Sequence, residues 1–235
     1  DRFVLPEALA EHFVEKPLYL PDVYQCNDSQ REIGPTPTRA ACGLPEDVFV
    51  YCSFNGSYKI TSDVFSVWMN ILKRVPNSVL WLVADNEYAK TNLKHEAEAR
   101  GVSADRIIFA EKVVPAEYLA RFRVADLMLD TSPYNAGTVA SDALWAGLPI
   151  LTCPGKTFAS RMAGSLLNAV GLPELIAPDW LNYENMAVKL AYDSALMQNH
   201  RKHLLNISRF SPLFDTPRIT HSIEKILIQV LHQLI

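Results

Sequence analysis

From Val48 onward, short apolar runs alternate with amphipathic stretches, and this alternation restricts the fold more than any other property of the 235-residue chain. Val48–Phe54, Val79–Val83, Ile107–Phe109, Leu127–Leu129 and Ile150–Thr152 read as strands. Thr61–Arg74, Tyr88–Arg100, Ala116–Val124, Val139–Ala146, Ser160–Val170 and Tyr183–Asp193 read as helices. Strands that are apolar throughout, without polar alternation, have both faces covered, as in a parallel sheet between two helix layers. The pattern therefore predicts a doubly wound α/β domain. Ligands of such sheets bind beyond the carboxyl ends of the strands, near the point where strand order reverses. That directs attention to the loops after Phe54, Phe109 and Leu129.

The flanks read differently. Residues 1–45 are irregular and proline-rich, with Pro6, Pro17, Pro21, Pro35, Pro37 and Pro45 and one helical stretch, Glu7–Glu15. Residues 46–215 form the α/β domain. Past Asp193 the pattern is wholly helical, with His200–Ile207 and Pro217–Leu234. The last of these carries Ile219, Ile223, Ile226, Leu227, Val230, Leu231 and Leu234 along one stripe. Residues 216–235 are thus expected to pack on the sheet or on a partner lobe. A net charge of −4 argues against a nucleic-acid or membrane-surface binder. Four scattered cysteines without a CxxC pair suit reduced thiols in a cytoplasmic protein. The chain starts at Asp1 without an initiator Met, as a processed chain or a fragment would.

Asp130–Thr152 is the most informative stretch. The run Leu127–Leu129 ends at Asp130, a loop with Pro133, Asn135 and Gly137 follows, and a helix opens near Thr138 and stops at Gly147. Such a loop aims free N–H groups and the positive helix end at one point, where a phosphate can bind. Asp142, four residues after Thr138, shares its helix face, and a carboxylate one turn below a phosphate site suits a ribose hydroxyl. The spacing suggests a nucleotide. Ser, Thr and Asp at a helix start also serve simply as caps.

Three further stretches carry candidate chemistry. Phe54–Lys59 follows a strand and precedes a helix that Thr61 can cap. Gly56 permits close backbone approach and Lys59 can reach an anion, the alternative being a solvated lysine on an ordinary loop. Tyr118 and Arg121, at i and i+3, could hold a flat base, or be a half-buried ring and a surface cation. Gly155-Lys156-Thr157 imitates a P-loop but lacks the glycine required at position 150, where Ile150 stands, so a loop into a helix capped by Thr157 or Ser160 fits better. His200 and His203, beside Arg201 and Lys202, read as a solvated face rather than a metal pair. No D-x-D sequence occurs that would hold a divalent metal against a sugar diphosphate.

Ile71–Leu82, Arg106–Phe109, Ala125–Thr131, Ser141–Pro149, Pro154–Ala163 and Ser211–Phe214 resemble the C-terminal catalytic lobe of the O-linked N-acetylglucosamine transferase family, in particular its bacterial members with tetratricopeptide repeats upstream. The resemblance covers about residues 16–235. It implies a Rossmann-like domain, the C-terminal half of a GT-B glycosyltransferase, that binds UDP or UDP-GlcNAc. The implied chemistry is inverting transfer of GlcNAc, or a related hexose, to Ser or Thr hydroxyls of a polypeptide acceptor, with no cofactor and no metal. Carried over by position, Lys59 contacts the diphosphate as the catalytic cation and Thr138 and its neighbouring N–H groups cradle it. Asp142 binds the ribose, Tyr118 and Arg121 hold the uracil, and Asn55, Gly137 and Val139 complete the binding set. The chain departs from the family pattern at Gly56 for glutamine, Gly137 for histidine, Val139 for threonine and Tyr118 for histidine, and it lacks a lysine near Pro115. The partners implied are an N-terminal lobe and tetratricopeptide repeats, without which the chain is expected to be inactive; nucleic acid and membrane are not expected. Two other readings remain open: a non-catalytic nucleotide- or protein-binding regulatory module, and half of a UDP-sugar epimerase.

Overall fold

The computed structural model describes residues 1–83, 86–207 and 210–234. The described residues form one parallel five-stranded sheet: β1 (Phe49–Ser53), β2 (Ser78–Val83), β3 (Ile107–Ala110), β4 (Leu127–Leu129) and β5 (Ile150–Leu151), in the order β3-β2-β1-β4-β5. The register pairs Cys52 with both Trp81 and Met128, and Met128 with Ile150. All five expected strands are present. The continuous apolar runs are buried on both faces: Tyr51, Cys52, Leu80, Trp81, Leu82, Met128 and Ile150 have no more than a trace of exposure.

The helices are α1 (Glu7–Ala10), α2 (Ser62–Arg74), α3 (Glu87–Ala99), α4 (Pro115–Arg121), α5 (Thr138–Trp145), α6 (Met162–Ala169), α7 (Trp180–Tyr192), α8 (Ser194–Ile207) and α9 (Thr216–Leu234). Their starts follow from short polar side chains. Thr61 accepts from the Val64 N–H, Asn86 from Ala89, Asp179 from Asn182 and Asp193 from Leu196. Gly147, at φ 85°, ends α5 in the left-handed region that glycine enters freely. Thr157 and Ser160 form the expected cap, around a 3-10 turn over Phe158–Ser160. Right-handed crossovers place the helices that step from β1 outward to β3 on one face and those that step from β4 to β5 on the other.

Three expectations are corrected. The first helix ends at Ala10, not Glu15; it has no side-chain cap and buries none of its residues, so packing adds nothing to a turn too short to persist by itself. The helix expected from His200 begins six residues earlier, at Ser194, because Asp193 caps it. Its histidines do not face solvent. His200 is buried with Nδ1 3.6 Å from Glu174, and the His203 Nε2 lies 2.8 Å from the Val170 carbonyl. Burial lowers the His200 pKa, which disfavours its charged form. Arg201, also expected on a solvated face, donates to the carbonyl oxygens of Ala125 and Asp126.

The proline-rich N-terminal segment is irregular but packed. Val4, Leu5 and Val23 are buried, Asn27 donates to the Leu213 carbonyl at 3.1 Å, and Arg39 reaches Asp126 at 2.7 Å. The start of α9 is pinned to this segment, with Arg218 donating twice to the Asp22 carboxylate at 2.7 and 2.8 Å. Ile219 is buried, whereas Ile223, Leu227, Ile228 and Leu231 are exposed. The side chain of Leu234, the last member of the expected stripe, and all of Ile235 lie outside the described residues. Among the described residues, no helix is long and apolar enough to cross a membrane.

Candidate functional site

Strand order reverses between β1 and β4, so the loops that leave their carboxyl ends diverge to opposite faces and open a crevice. The sequence places its candidate residues there. After β1 the chain runs through Asn55 and Gly56 into a 3-10 turn, Ser57–Lys59, before Thr61 caps α2. After β4 it runs through residues 130–137 into α5. The two loops are joined. The Lys59 Nζ donates to the Asn135 carbonyl at 3.1 Å and sits 3.7 Å from the centroid of the Tyr134 ring, while the Thr61 hydroxyl donates to the Ser132 carbonyl at 3.3 Å. Lys59 is half-buried, which lowers its pKa, and the Asp130 charge pulls it back up. The result is a half-buried cation held between the Asn135 carbonyl and the Tyr134 ring.

The loop of residues 131–137 takes its shape from Asp130. One carboxylate oxygen accepts from the N–H groups of Thr131 at 2.8 Å and Ala136 at 2.7 Å, bracketing the loop. The other accepts from the Thr152 hydroxyl at 2.7 Å, and the Asp130 carbonyl accepts from the Tyr183 hydroxyl at 3.1 Å. Burial pushes the carboxyl up to about 7 against the Thr152 hydroxyl, the two amides and the Lys59 charge, which all favour the ionised form. The loop delivers Gly137 and the start of α5, whose first turn has no side-chain cap. Its first N–H groups have no partner within the helix and carry the positive end of the helix dipole.

Asp142 and Tyr118 meet one turn further along. Asp142 is nearly buried, and its carboxyl is raised by burial and pulled down by Arg31 and by the Tyr118 hydroxyl. Tyr118 lies edge-on to Phe122 at 5.2 Å and tilted against Phe54 at 6.1 Å. It lines a cavity of about 250 Å³ with Phe54, Ala110, Val113 and Arg121, and the Arg121 guanidinium donates to the Glu111 carbonyl at its edge. The spacing of Tyr118 and Arg121 thus brings both to one pocket. Asn55 is buried, its amide nitrogen donating to the Ser53 hydroxyl oxygen at 3.5 Å and its side-chain oxygen without a partner among the described residues. Thr138 is exposed at the crevice and Val139 is half-buried beside it.

Gly137 has a local reason. A Cβ there would stand 3.3 Å from the Tyr24 hydroxyl and 3.5 Å from the Gln25 side-chain oxygen. The N-terminal segment crosses the start of α5, and a larger residue would push it off. Sequence reading missed this segment: Arg31 forms an ion pair with Asp142, 111 positions away, and its carbonyl accepts from Trp145 Nε1 at 3.1 Å. Aperiodic, proline-rich sequence carries no signal for such contacts. Asp130 was visible as the polar end of an apolar run, a usual signature of a strand's functional end. A larger cavity, about 520 Å³ and lined by Arg39, Phe49, Asp126 and Arg201, opens at the start of β1. That is the amino-terminal end of the strands, opposite the crevice. Among the described residues there is no group of three or more His, Cys, Asp or Glu side chains that could hold a metal.

A parallel sheet in this order, with helices joining its strands, defines a Rossmann-like α/β domain of the GT-B type. The model of glycosyl transferase family 41 matches residues 25–223, and the chain belongs to that family. It is 39% identical over 232 residues to a probable UDP-N-acetylglucosamine–peptide N-acetylglucosaminyltransferase of Arabidopsis thaliana, covering 96% of this chain and 24% of that protein. A UDP-N-acetylglucosamine–peptide N-acetylglucosaminyltransferase of Caenorhabditis elegans is 36% identical over 193 residues, 82% of this chain and 17% of that one. The chain thus spans a quarter or less of these relatives. The fold is similar to that of a mutant O-GlcNAc transferase of Thermobaculum terrenum, with a TM-score of 0.81, 24% identity and coverage of 99% of this chain and 44% of the other.

Proposed function

We propose that this lobe binds a UDP-sugar and is the donor half of an inverting protein O-glycosyltransferase that moves GlcNAc, or a related hexose, to Ser or Thr hydroxyls. The observation that carries this reading is the convergence of Lys59, the α5 start and Asp142 on one crevice beside the Tyr118–Arg121 cavity. In the proposed complex the uracil enters that cavity, the ribose hydroxyls donate to Asp142, and the diphosphate lies against Thr138, the α5 N–H groups and Lys59. The acceptor oxygen attacks the anomeric carbon from the face opposite the diphosphate. The bond to the β-phosphate oxygen breaks, its electron pair leaves with UDP, and the acceptor proton passes to a base. No residue described here is assigned as that base; it is proposed to lie on the N-terminal lobe, which with tetratricopeptide repeats completes the protein. As UDP departs, charge grows on the oxygen next to Lys59 and the helix dipole, so both stabilise the transition state more than the bound substrate. Four free cysteines support a cytoplasmic location.

Calorimetry with UDP tests the site. Asp142→Ala is expected to weaken UDP binding roughly tenfold or more, because hydrogen bonds to a buried carboxylate contribute about 1.5–3 kcal/mol. Absence of binding at millimolar UDP, or an Asp142→Ala affinity equal to wild type, sinks the reading. The coverage of Gly137 by Tyr24 and Gln25 favours a second reading, a regulatory lobe that binds nucleotide without transfer. Sugar transfer to a peptide by the full-length protein rules it out.

A further inference from the structure

Arg31 is unfinished as a hydrogen-bonding group. One of its terminal nitrogens donates to Asp142, while Nε and the other terminal nitrogen are buried and have no acceptor among the described residues. The side chain is not held there by accident of the surface. Its own carbonyl is fixed by Trp145 Nε1 at 3.1 Å, and its guanidinium lies 5.9 Å from the centroid of the same indole ring, one turn along α5 from Asp142. Two buried N–H-bearing nitrogens left unsatisfied cost desolvation energy and require an explanation. Asp142, for its part, can only accept, and it already receives Arg31 and the Tyr118 hydroxyl.

We propose that Arg31 is a further nucleotide-binding residue, donating from its free N–H groups to the hydroxyl oxygens of the ribose that Asp142 holds. The chemistry is complementary. A sugar hydroxyl has one hydrogen to give and lone pairs to fill, so a carboxylate and a guanidinium side by side satisfy a vicinal diol completely, as neither does alone. A guanidinium is suited to this because its planar fork presents several donors in fixed directions. The inference rests on the UDP-sugar reading above. It adds that the irregular N-terminal segment contributes to the donor site, together with Tyr24 and Gln25 at the α5 start.

The test is calorimetry of the full-length protein with UDP and with 2′-deoxy-UDP. Wild type is expected to prefer UDP by about tenfold or more. Arg31→Ala is expected to lose about tenfold in UDP affinity and most of that preference, while its affinity for 2′-deoxy-UDP, which keeps only the 3′-hydroxyl, falls by less. Arg31→Lys retains the ion pair and guards against a folding failure of the alanine variant, yet without the fork it too is expected to lose the preference. An Arg31→Ala or Arg31→Lys protein that keeps the wild-type preference, or binds UDP more tightly than wild type, overturns the proposal and marks Arg31 as a cover over Asp142. Wild type that binds neither nucleotide overturns the UDP-sugar reading itself.

Discussion

Lys59→Ala is expected to lower sugar transfer by the full-length protein about 10²–10³-fold while weakening UDP binding by roughly tenfold or less. Loss of one preorganised charge-stabilising donor typically costs a rate factor of that size. The asymmetry follows from where Lys59 sits. Its ammonium is already held between the Asn135 carbonyl and the Tyr134 ring before any ligand arrives, so no reorganisation is required when charge moves onto the leaving diphosphate. Ground-state UDP keeps the α5 N–H groups and Asp142, which limits the loss in affinity. Lys59→Arg is expected to recover little, because the larger planar group does not fit the gap between the carbonyl and the ring. Steady-state kinetics with a peptide acceptor, paired with UDP titration, separates the two effects. A turnover number within threefold of wild type would remove Lys59 from the chemistry.

The second large effect concerns Asp130. Asp130→Ala strips the partners from two backbone N–H groups and one hydroxyl that are buried at the root of the loop of residues 131–137. Each unsatisfied donor costs on the order of 1–3 kcal/mol, so a total loss of about 3–5 kcal/mol is expected, a large share of a domain's stability. Asp130→Asn keeps an oxygen for the two amides and can donate to Thr152, so it is expected to recover most of that loss.

The pair also predicts a pH signature. Burial raises the folded carboxyl from 3.8 to about 7, so the native state holds the proton more tightly than the unfolded chain. The stability from this group is fully present below pH 3.8 and is lost as pH rises through about 7. At roughly 1.4 kcal/mol per unit, the loss is on the order of 3 kcal/mol or more. In urea melts of wild type and Asp130→Asn, the stability of wild type relative to the variant is expected to fall between pH 5 and pH 8. A constant difference across that range contradicts the assignment.

Much of this architecture was legible residue by residue. The apolar runs marked all five strands because both faces of a parallel sheet are buried, and burial leaves a compositional trace at each position. Thr61, Gly147 and the Thr157–Ser160 pair act on N–H and carbonyl groups within four residues of themselves, so their roles follow from spacing alone. Lys59, Thr138, Asp142, Tyr118 and Arg121 could be read as candidates for the same reason: each stands at a fixed offset from a strand end, and the topology brings strand ends together. Spacing could not show what occupies the crevice before a ligand does. His200 looked solvated beside Arg201 and Lys202, but α8 turns that side of the helix toward Glu174 and the core.

By itself, then, the sequence determined the five strands and the local roles of Thr61, Gly147 and the Thr157–Ser160 pair, since these depend on interactions between near neighbours and on burial that composition records. The tertiary structure alone decided that Asp130 ties residues 131, 136 and 152 into one loop. It alone decided that Gly137 lies under Tyr24, and that Arg31 reaches Asp142 with donors to spare. Those contacts join distant or aperiodic segments, and a hydrogen bond between them imposes no repeat and no composition on the chain, so nothing but the folded geometry can reveal it.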